Sequence, residues 1–251
     1  MSRTATGESV FSRMVRILEA FDSDAPALRM GEIARRSALH VATTSRLVEE
    51  LVSHGWLQRE PDRRVRMGIR LWELASRASP TRGLREAAMP FLQDLHAVVG
   101  HHVQLGVLDG HEVLFVERLS APGAVINIAR VAGRLPLHAS SSGLVLLAFA
   151  PADLQERIMA APLRAYTQNT ITDPRLLRSV LADVRRNGYA LCPGALHVRA
   201  TGISVPIHDP GNRVVAAMSV IVPNDGNARS QIPALQTAAR GVTRATTRLM
   251  D

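Results

Sequence analysis

The chain is 251 residues long, which suits one or two domains of about 100–200 residues each. Hydrophobic residues make up 46% and charged residues 21%, the usage of a folded protein and not of an extended disordered one. The net charge of +8 rests on 30 basic residues, all arginine, against 22 acidic ones and suits an anionic partner, while aromatics at 4% are too few for the stacking platforms that read single-stranded nucleic acid, which leaves duplex DNA.

Apolar residues Val10, Met14, Ile17, Leu18 and Phe21 fall on one helical face and predict a first helix over Val10–Phe21. A loop follows at Asp22–Pro26, then a short helix over Met30–Ser37, whose start at Arg29 lacks the usual Ser, Thr or Asp cap. A brief connection through Leu39 and His40 leads to a third helix, Val41–His54. Thr44, Leu47, Val48 and Leu51 form its inward stripe, and Gly55 stops it. Trp56–Arg59 and Val65–Met67 read as two strands joined by a turn over Glu60–Arg64, and Ile69–Ala78 resumes a helical period. Three helices and a hairpin, with a tight turn between the second and third helix, describe a winged helix-turn-helix. The third helix can enter a major groove with Thr43, Thr44, Ser45 and Arg46 toward base edges. Arg35 and the wing residues Arg63, Arg64 and Arg66 can reach the backbone. Across residues 29–70, nine arginines stand against five acids.

The chain breaks at Ser79-Pro80. This gives a DNA-binding domain over 1–68, a linker helix over 69–80 and a second domain over 81–251. In the second domain, helices are expected at Leu84–Val99, Gly143–Ala150, Asp153–Ala160, Pro174–Asn187 and Ile232–Leu249. Strands are expected at Val103–Leu108, Val113–Leu119, Val125–Ala129, Ile203–Ile207 and Val214–Val222. Asp109-Gly110 and Asp209-Pro210-Gly211-Asn212 mark hairpin turns. The irregular order of strands and helices indicates an α+β fold.

Other chemistries lack their residues. The longest apolar runs, Leu144–Ala150 and Val214–Val222, are far short of the roughly 20 residues of a membrane helix, and the first 13 residues hold no apolar signal region, so a cytoplasmic protein with no membrane partner is expected. The single cysteine, Cys192, permits neither an internal disulfide nor a cysteine-based metal site. The histidines have no ligand spacing, Ser140–Ser142 is not a nucleophile elbow, and no glycine-rich phosphate loop occurs. No catalytic residue, metal or cofactor is assigned. The segment Ala139-Ser140-Ser141-Ser142-Gly143 ahead of an apolar helix can supply an N-cap or free N–H groups for a ligand.

Several stretches together resemble the IclR family of bacterial transcriptional regulators over nearly the whole chain. They include Glu32-Ile33-Ala34-Arg35-Arg36, Thr43-Thr44-Ser45-Arg46-Leu47 and Gly133-Arg134-Leu135-Pro136-Leu137-His138-Ala139-Ser140. Asn169-Thr170-Ile171-Thr172-Asp173, Arg185-Arg186-Asn187-Gly188-Tyr189 and Ser204-Val205-Pro206-Ile207 complete the ordered series. The resemblance implies a DNA-binding domain, a linker helix and a GAF-like effector-binding domain with a central antiparallel sheet. It also implies a homodimer or a dimer of dimers on double-stranded operator DNA, with a small-molecule effector. The family's pocket positions fall on Ser141, Ser142, Cys192, Gly202, Ser219 and Ile221. An acidic residue common in keto-acid sensors is replaced by Cys192, a cysteine or similar polar residue by Gly202, and one of two serines by Ile221. A position usually held by lysine is Leu144. These departures point to a larger or more apolar effector, an aromatic acid or derivative, for a repressor or activator of a catabolic operon. The alternative is a small-molecule-binding or catalytic protein whose N-terminal module docks a protein partner.

Overall fold

The computed structural model describes residues 8–22 and 24–248. Residues 1–7, most of the segment read as lacking a signal region, and Leu249 at the expected end of the last helix lie outside the described residues. The chain divides into two compact units, Met1–Pro80 and Thr81–Asp251.

The first unit holds α1 (Val10–Glu19), β1 (Ala27–Leu28), α2 (Met30–Arg36), α3 (Val41–Ser53), β2 (Leu57–Arg59), β3 (Val65–Met67) and α4 (Ile69–Arg77). The Ser9 hydroxyl caps α1 by accepting from Ser12 N at 3.0 Å. At the weakly signalled start of α2, the Glu32 carboxylate reaches back to accept from Arg29 N at 2.8 Å, which replaces the missing cap. Ile17, Ile33, Leu47, Val48, Leu57 and Val65 make one buried core. The wing is a three-stranded sheet in the order β1-β3-β2. Its first strand lies just beyond the expected loop and is only two residues long, fixed by pairing of Leu28 with Val65. Gly55 takes φ +72° after α3, and a Cβ on Gly68 would meet the Gly55 carbonyl oxygen at 2.1 Å. Only glycine lets the end of the wing close over the end of the recognition helix.

The second unit is a six-stranded sheet in the order β6-β5-β4-β9-β8-β7, with every neighbouring pair antiparallel. The strands are β4 (His102–Asp109), β5 (Glu112–Ser120), β6 (Arg134–Pro136), β7 (Ala190–Pro193), β8 (Ala200–His208) and β9 (Val214–Pro223). α5 (Arg82–Val99) and α9 (Ile232–Arg248) share one core with Val103, Leu105, Ile203, Val205 and Met218. α6 (Ser141–Ala148), α7 (Ala152–Ala160) and α8 (Pro174–Asn187) share the other with Phe115, Cys192 and Ala217. Strand alternation assigns the faces: Val103 and Leu105 go to α5 and α9, and Gln104 between them goes to the α6 side. No helix among the described residues is long and apolar enough to cross a membrane.

One expected strand is absent. Residues 125–129 carry strand-like apolar residues but run as irregular chain. β6 pairs with only the first three residues of β5, from Glu112–Pro136 to Leu114–Arg134, and the segment does not extend that pairing. The backbone of the segment is bonded by side chains instead. His102 Nε2 donates to Val125 O at 2.5 Å, Arg118 Nη1 donates to Ala129 O at 2.6 Å, and Asn127 Oδ1 accepts from Ala129 N at 3.0 Å. The segment is therefore a strap pinned at both ends. Burial pulls the His102 imidazole below its ordinary value, against the bond to Val125 O, which favours the charged ring, and Arg118, His101 and His96 push the same way as burial. Two strands were not expected as such, β6 and β7, and β8 begins at Ala200 instead of Ile203.

Candidate functional sites

In the first unit, the outward face of α3 presents Ala42, Ser45, Arg46, Glu49 and Glu50, all exposed, with Thr43 half-buried at its edge. Thr44 does not belong with them. Its side chain is 0% exposed and its hydroxyl donates to His40 O at 3.2 Å, so the helical period turns it into the core and it cannot touch DNA. Arg35 lies exposed on α2. Among the described residues, Arg35, Arg46 and Arg63 make no ion pair or side-chain hydrogen bond, whereas Arg59, Arg64 and Arg66 are engaged. Arg59 reaches Glu49 at 2.7 Å, Arg64 reaches Asp62 at 2.6 Å and Arg66 reaches Glu60 at 3.3 Å. Exposed pairs of this kind are weak and exchange readily for phosphate.

The wing tip is a built turn. Arg63 N donates to Glu60 O at 3.0 Å, and Arg64 N donates to Asp62 Oδ1 at 3.0 Å. That backbone bond and the Arg64 guanidinium hold the Asp62 carboxyl below its usual value. Arg63 adopts φ +65°, a left-handed conformation that suits glycine and costs an L residue about 1 kcal/mol. An arginine kept there aims a free cation from the tip. Arg63→Gly should leave the thermal midpoint unchanged or raised, weaken duplex binding without regard to sequence, and lower the salt slope by about 1. Equilibrium binding at several salt concentrations checks it, and an unchanged slope would remove Arg63 from the DNA contacts.

In the second unit, a cavity lies between the sheet, the strap, the start of α6 and residues 195–197. Phe115, Ile126, Ile128, Leu135, Leu196 and Ile221 line it, with Gln104, Asn127, Ser140, Ser141, Ser142 and His197 as its polar groups, and no Asp, Glu or Arg among the lining residues. The Ser140 hydroxyl is the N-cap of α6, accepting from Gly143 N at 3.1 Å, which leaves Ser141 and Ser142 beside the cavity.

Cys192, Gly202 and Ile221 also line the cavity and stand side by side, since β7 pairs Cys192 with Gly202 and β8 pairs Gly202 with Ile221. Burial pushes the Cys192 thiol up to about 12, so it is wall and not nucleophile. Ser219 is a correction: it is fully buried, does not line the cavity and stands behind it, donating to Gln104 Oε1 at 3.5 Å. Sequence reasoning missed Gln104, Asn127, Phe115 and the 195–197 loop. A glutamine inside the apolar run Val103-Gln104-Leu105 was the available signal.

A Cβ on Gly202 would stand 2.8 Å from Ser141 Oγ, inside the cavity. Gly202→Ala should keep the fold, because a hydroxyl can turn away, and weaken ligand binding by about 1–2 kcal/mol. Calorimetry on the folded variant checks it; unchanged affinity would place the ligand away from the Ser141–Gly202 contact. Among the described residues, no group of three His, Cys, Asp or Glu comes together as metal ligands.

Comparison with known proteins follows the same division. Residues 77–247 match the model described as bacterial transcriptional regulator IclR C-terminal, and residues 11–61 match the IclR helix-turn-helix domain. The HTH-type transcriptional regulator XynR of Escherichia coli (strain K12) is 30% identical over 210 residues, 83% of each chain. The crystal structure of an IclR homolog from Microbacterium hydrocarbonoxydans, complexed with 4-hydroxybenzoate, is 45% identical with a TM-score of 0.91, over 95% of this chain and 99% of that one. An IclR homolog from Microbacterium sp. strain HM58-2 is 43% identical with a TM-score of 0.62, over 94% of this chain and 97% of that one.

Proposed function

The chain belongs to the IclR family of bacterial transcriptional regulators, and from that premise we propose that it is a cytoplasmic, ligand-responsive regulator of a catabolic operon whose effector is a small aromatic acid or a derivative. The observation that carries the effector class is the lining of the cavity: Phe115 and five aliphatic side chains around a few polar groups, with no Asp, Glu or Arg to meet a small, strongly polar acid. The 45% identical structure with bound 4-hydroxybenzoate supports the same class.

On this reading the domains are a DNA-binding domain over 1–68, a linker helix over 69–80 and an effector domain over 81–251. Ser141, Ser142, Cys192, Gly202 and Ile221 contact the effector. Arg35, Thr43, Ser45, Arg46, Arg63, Arg64 and Arg66 contact DNA. A homodimer, alone or paired into a dimer of dimers, sets two α3 helices into successive major grooves about 34 Å apart on a near-palindromic operator. The effector acts by binding one arrangement of the dimer better than another, without which no equilibrium shifts. Repression or activation then depends on where the operator lies relative to the promoter.

Calorimetry of the purified chain with benzoate, 4-hydroxybenzoate, glyoxylate and pyruvate tests the effector class. Binding of an aromatic acid with the two keto acids silent is expected. Tight binding of glyoxylate or pyruvate with no aromatic acid bound would overturn it.

A further inference from the structure

We propose that two side-chain amides, Gln104 on β4 and Asn127 on the strap, form the anion-recognising end of the cavity by donating hydrogen bonds to the effector's carboxylate. The inference rests on the aromatic-acid reading and adds the atoms that select the acid group. Gln104 is 1% exposed, between two fully buried apolar residues of a central strand. A primary amide so placed is costly unless both of its ends are bonded. Its oxygen is engaged, because buried Ser219 donates to Oε1 at 3.5 Å. Its nitrogen has no partner among the described residues.

Asn127 repeats the pattern. Its Oδ1 accepts from Ala129 N at 3.0 Å, and its buried Nδ2 has no partner among the described residues. In both amides the acceptor is used within the protein and the donor is left over. Both residues line the same cavity. The Asn127 amide cannot reverse, because Ala129 N can only donate, and the Gln104 amide presents its nitrogen to the cavity when the Ser219 hydroxyl donates to its oxygen. The strap backbone holds the Asn127 amide, and Ser219 stands against the Gln104 amide. The strap is itself fixed on each side of Asn127 by His102 at Val125 O and by Arg118 at Ala129 O.

Two unpartnered donors on residues of one cavity wall call for an oxygen acceptor, and a carboxylate gives the strongest charge-assisted bonds. No arginine and no acid lines the cavity, and the two amides offer donors where other anion sites use a guanidinium, with His197 the one titratable nitrogen base in the lining. The same pair disfavours a ligand that presents an amine or ammonium at this end, because donor would face donor. Ser219, which does not line the cavity, acts here as a positioning residue.

The test is calorimetry on the full chain with benzoate and benzamide as probes, using wild type, Gln104→Leu, the near-isosteric Gln104→Met and Asn127→Leu. Wild type should prefer benzoate. Each variant should weaken benzoate roughly 10- to 100-fold and benzamide much less, so that the preference collapses. A cooperative melt of unliganded Gln104→Met checks that the variant is folded, since the change also takes the acceptor from the buried Ser219 hydroxyl. Equal losses for both probes in all folded variants would mean reshaped walls and would overturn the donor assignment, as would unchanged benzoate affinity. If wild type binds no aromatic carboxylate, the effector reading fails and this proposal falls with it.

Discussion

Arg46→Ala weakens binding to the cognate duplex by about 1–3 kcal/mol and relaxes the preference at one base position. Arg46 is exposed on the outward face of α3 and makes no ion pair among the described residues. The acid one turn along, Glu49, is already held by Arg59 at 2.7 Å, so it does not fold Arg46 back onto the helix. Ala42 and Ser45 beside it are small and leave room for the edge of a base pair. A guanidinium so placed can make two parallel bonds to guanine, a geometry lysine cannot copy. Arg46→Lys should therefore recover little of the specificity. Anisotropy titrations against an operator substituted position by position would show the loss concentrated at one base pair. A uniform loss across all sequences, with the salt slope falling as for Arg63→Gly, would make Arg46 a phosphate contact.

Leu74→Pro abolishes the effect of effector on DNA affinity while leaving effector binding intact. In α4 the N–H of residue 74 bonds the carbonyl of residue 70, and a proline there removes that bond and clashes with the same carbonyl, at a cost of about 3 kcal/mol or more. α4 has no core to absorb that cost: none of its residues is buried, and Ile69 and Trp72 are each 66% exposed. Its helicity rests on its own hydrogen bonds and on the Arg70–Glu73 and Arg77–Glu73 pairs at 2.7 and 3.9 Å, which are worth only tenths of a kcal/mol each at the surface. The cores of the two units lie outside it, so each should still fold. Calorimetry with effector and DNA titrations with and without effector on the same preparation check this. Full ligand response in Leu74→Pro would mean that the signal does not need a continuous α4.

Much of the fold is legible because local rules and the core agree. The period through Met14, Ile17, Leu47 and Leu51 gives the helices and their buried faces, and Gly55 and Asp109-Gly110 mark real turns. What fails is decided at long range. β1 is two residues whose strand character exists only through β3. Residues 125–129 have the apolar pattern of a strand, yet they run as irregular chain, bonded by side chains: His102 at Val125 O, Arg118 at Ala129 O and Asn127 at Ala129 N. On α3 the same periodicity that makes Arg46 outward makes Thr44 inward, so counting a run of polar residues as one contact surface ignores the turn of the helix.

The ligand cavity is legible only in part, for the same reason. Cys192, Gly202 and Ile221 line it as a lateral row, which depends on strand register and not on spacing along the chain. Ser219 lies two residues from Ile221 on the same face but next to Gln104, which covers it. Asn127 belongs to a strap that sequence patterning mistakes for a strand. A buried polar residue in an apolar strand is the one local clue to such a site, and Gln104 carries it.

Selection of genomic fragments on the purified chain, followed by footprinting with and without 4-hydroxybenzoate, tests the central claim most directly. The account predicts a protected near-palindrome with half-sites one helical turn apart, and an occupancy that the aromatic acid changes. No duplex preference above a salt-sensitive background, with the acid present as well as absent, would contradict it.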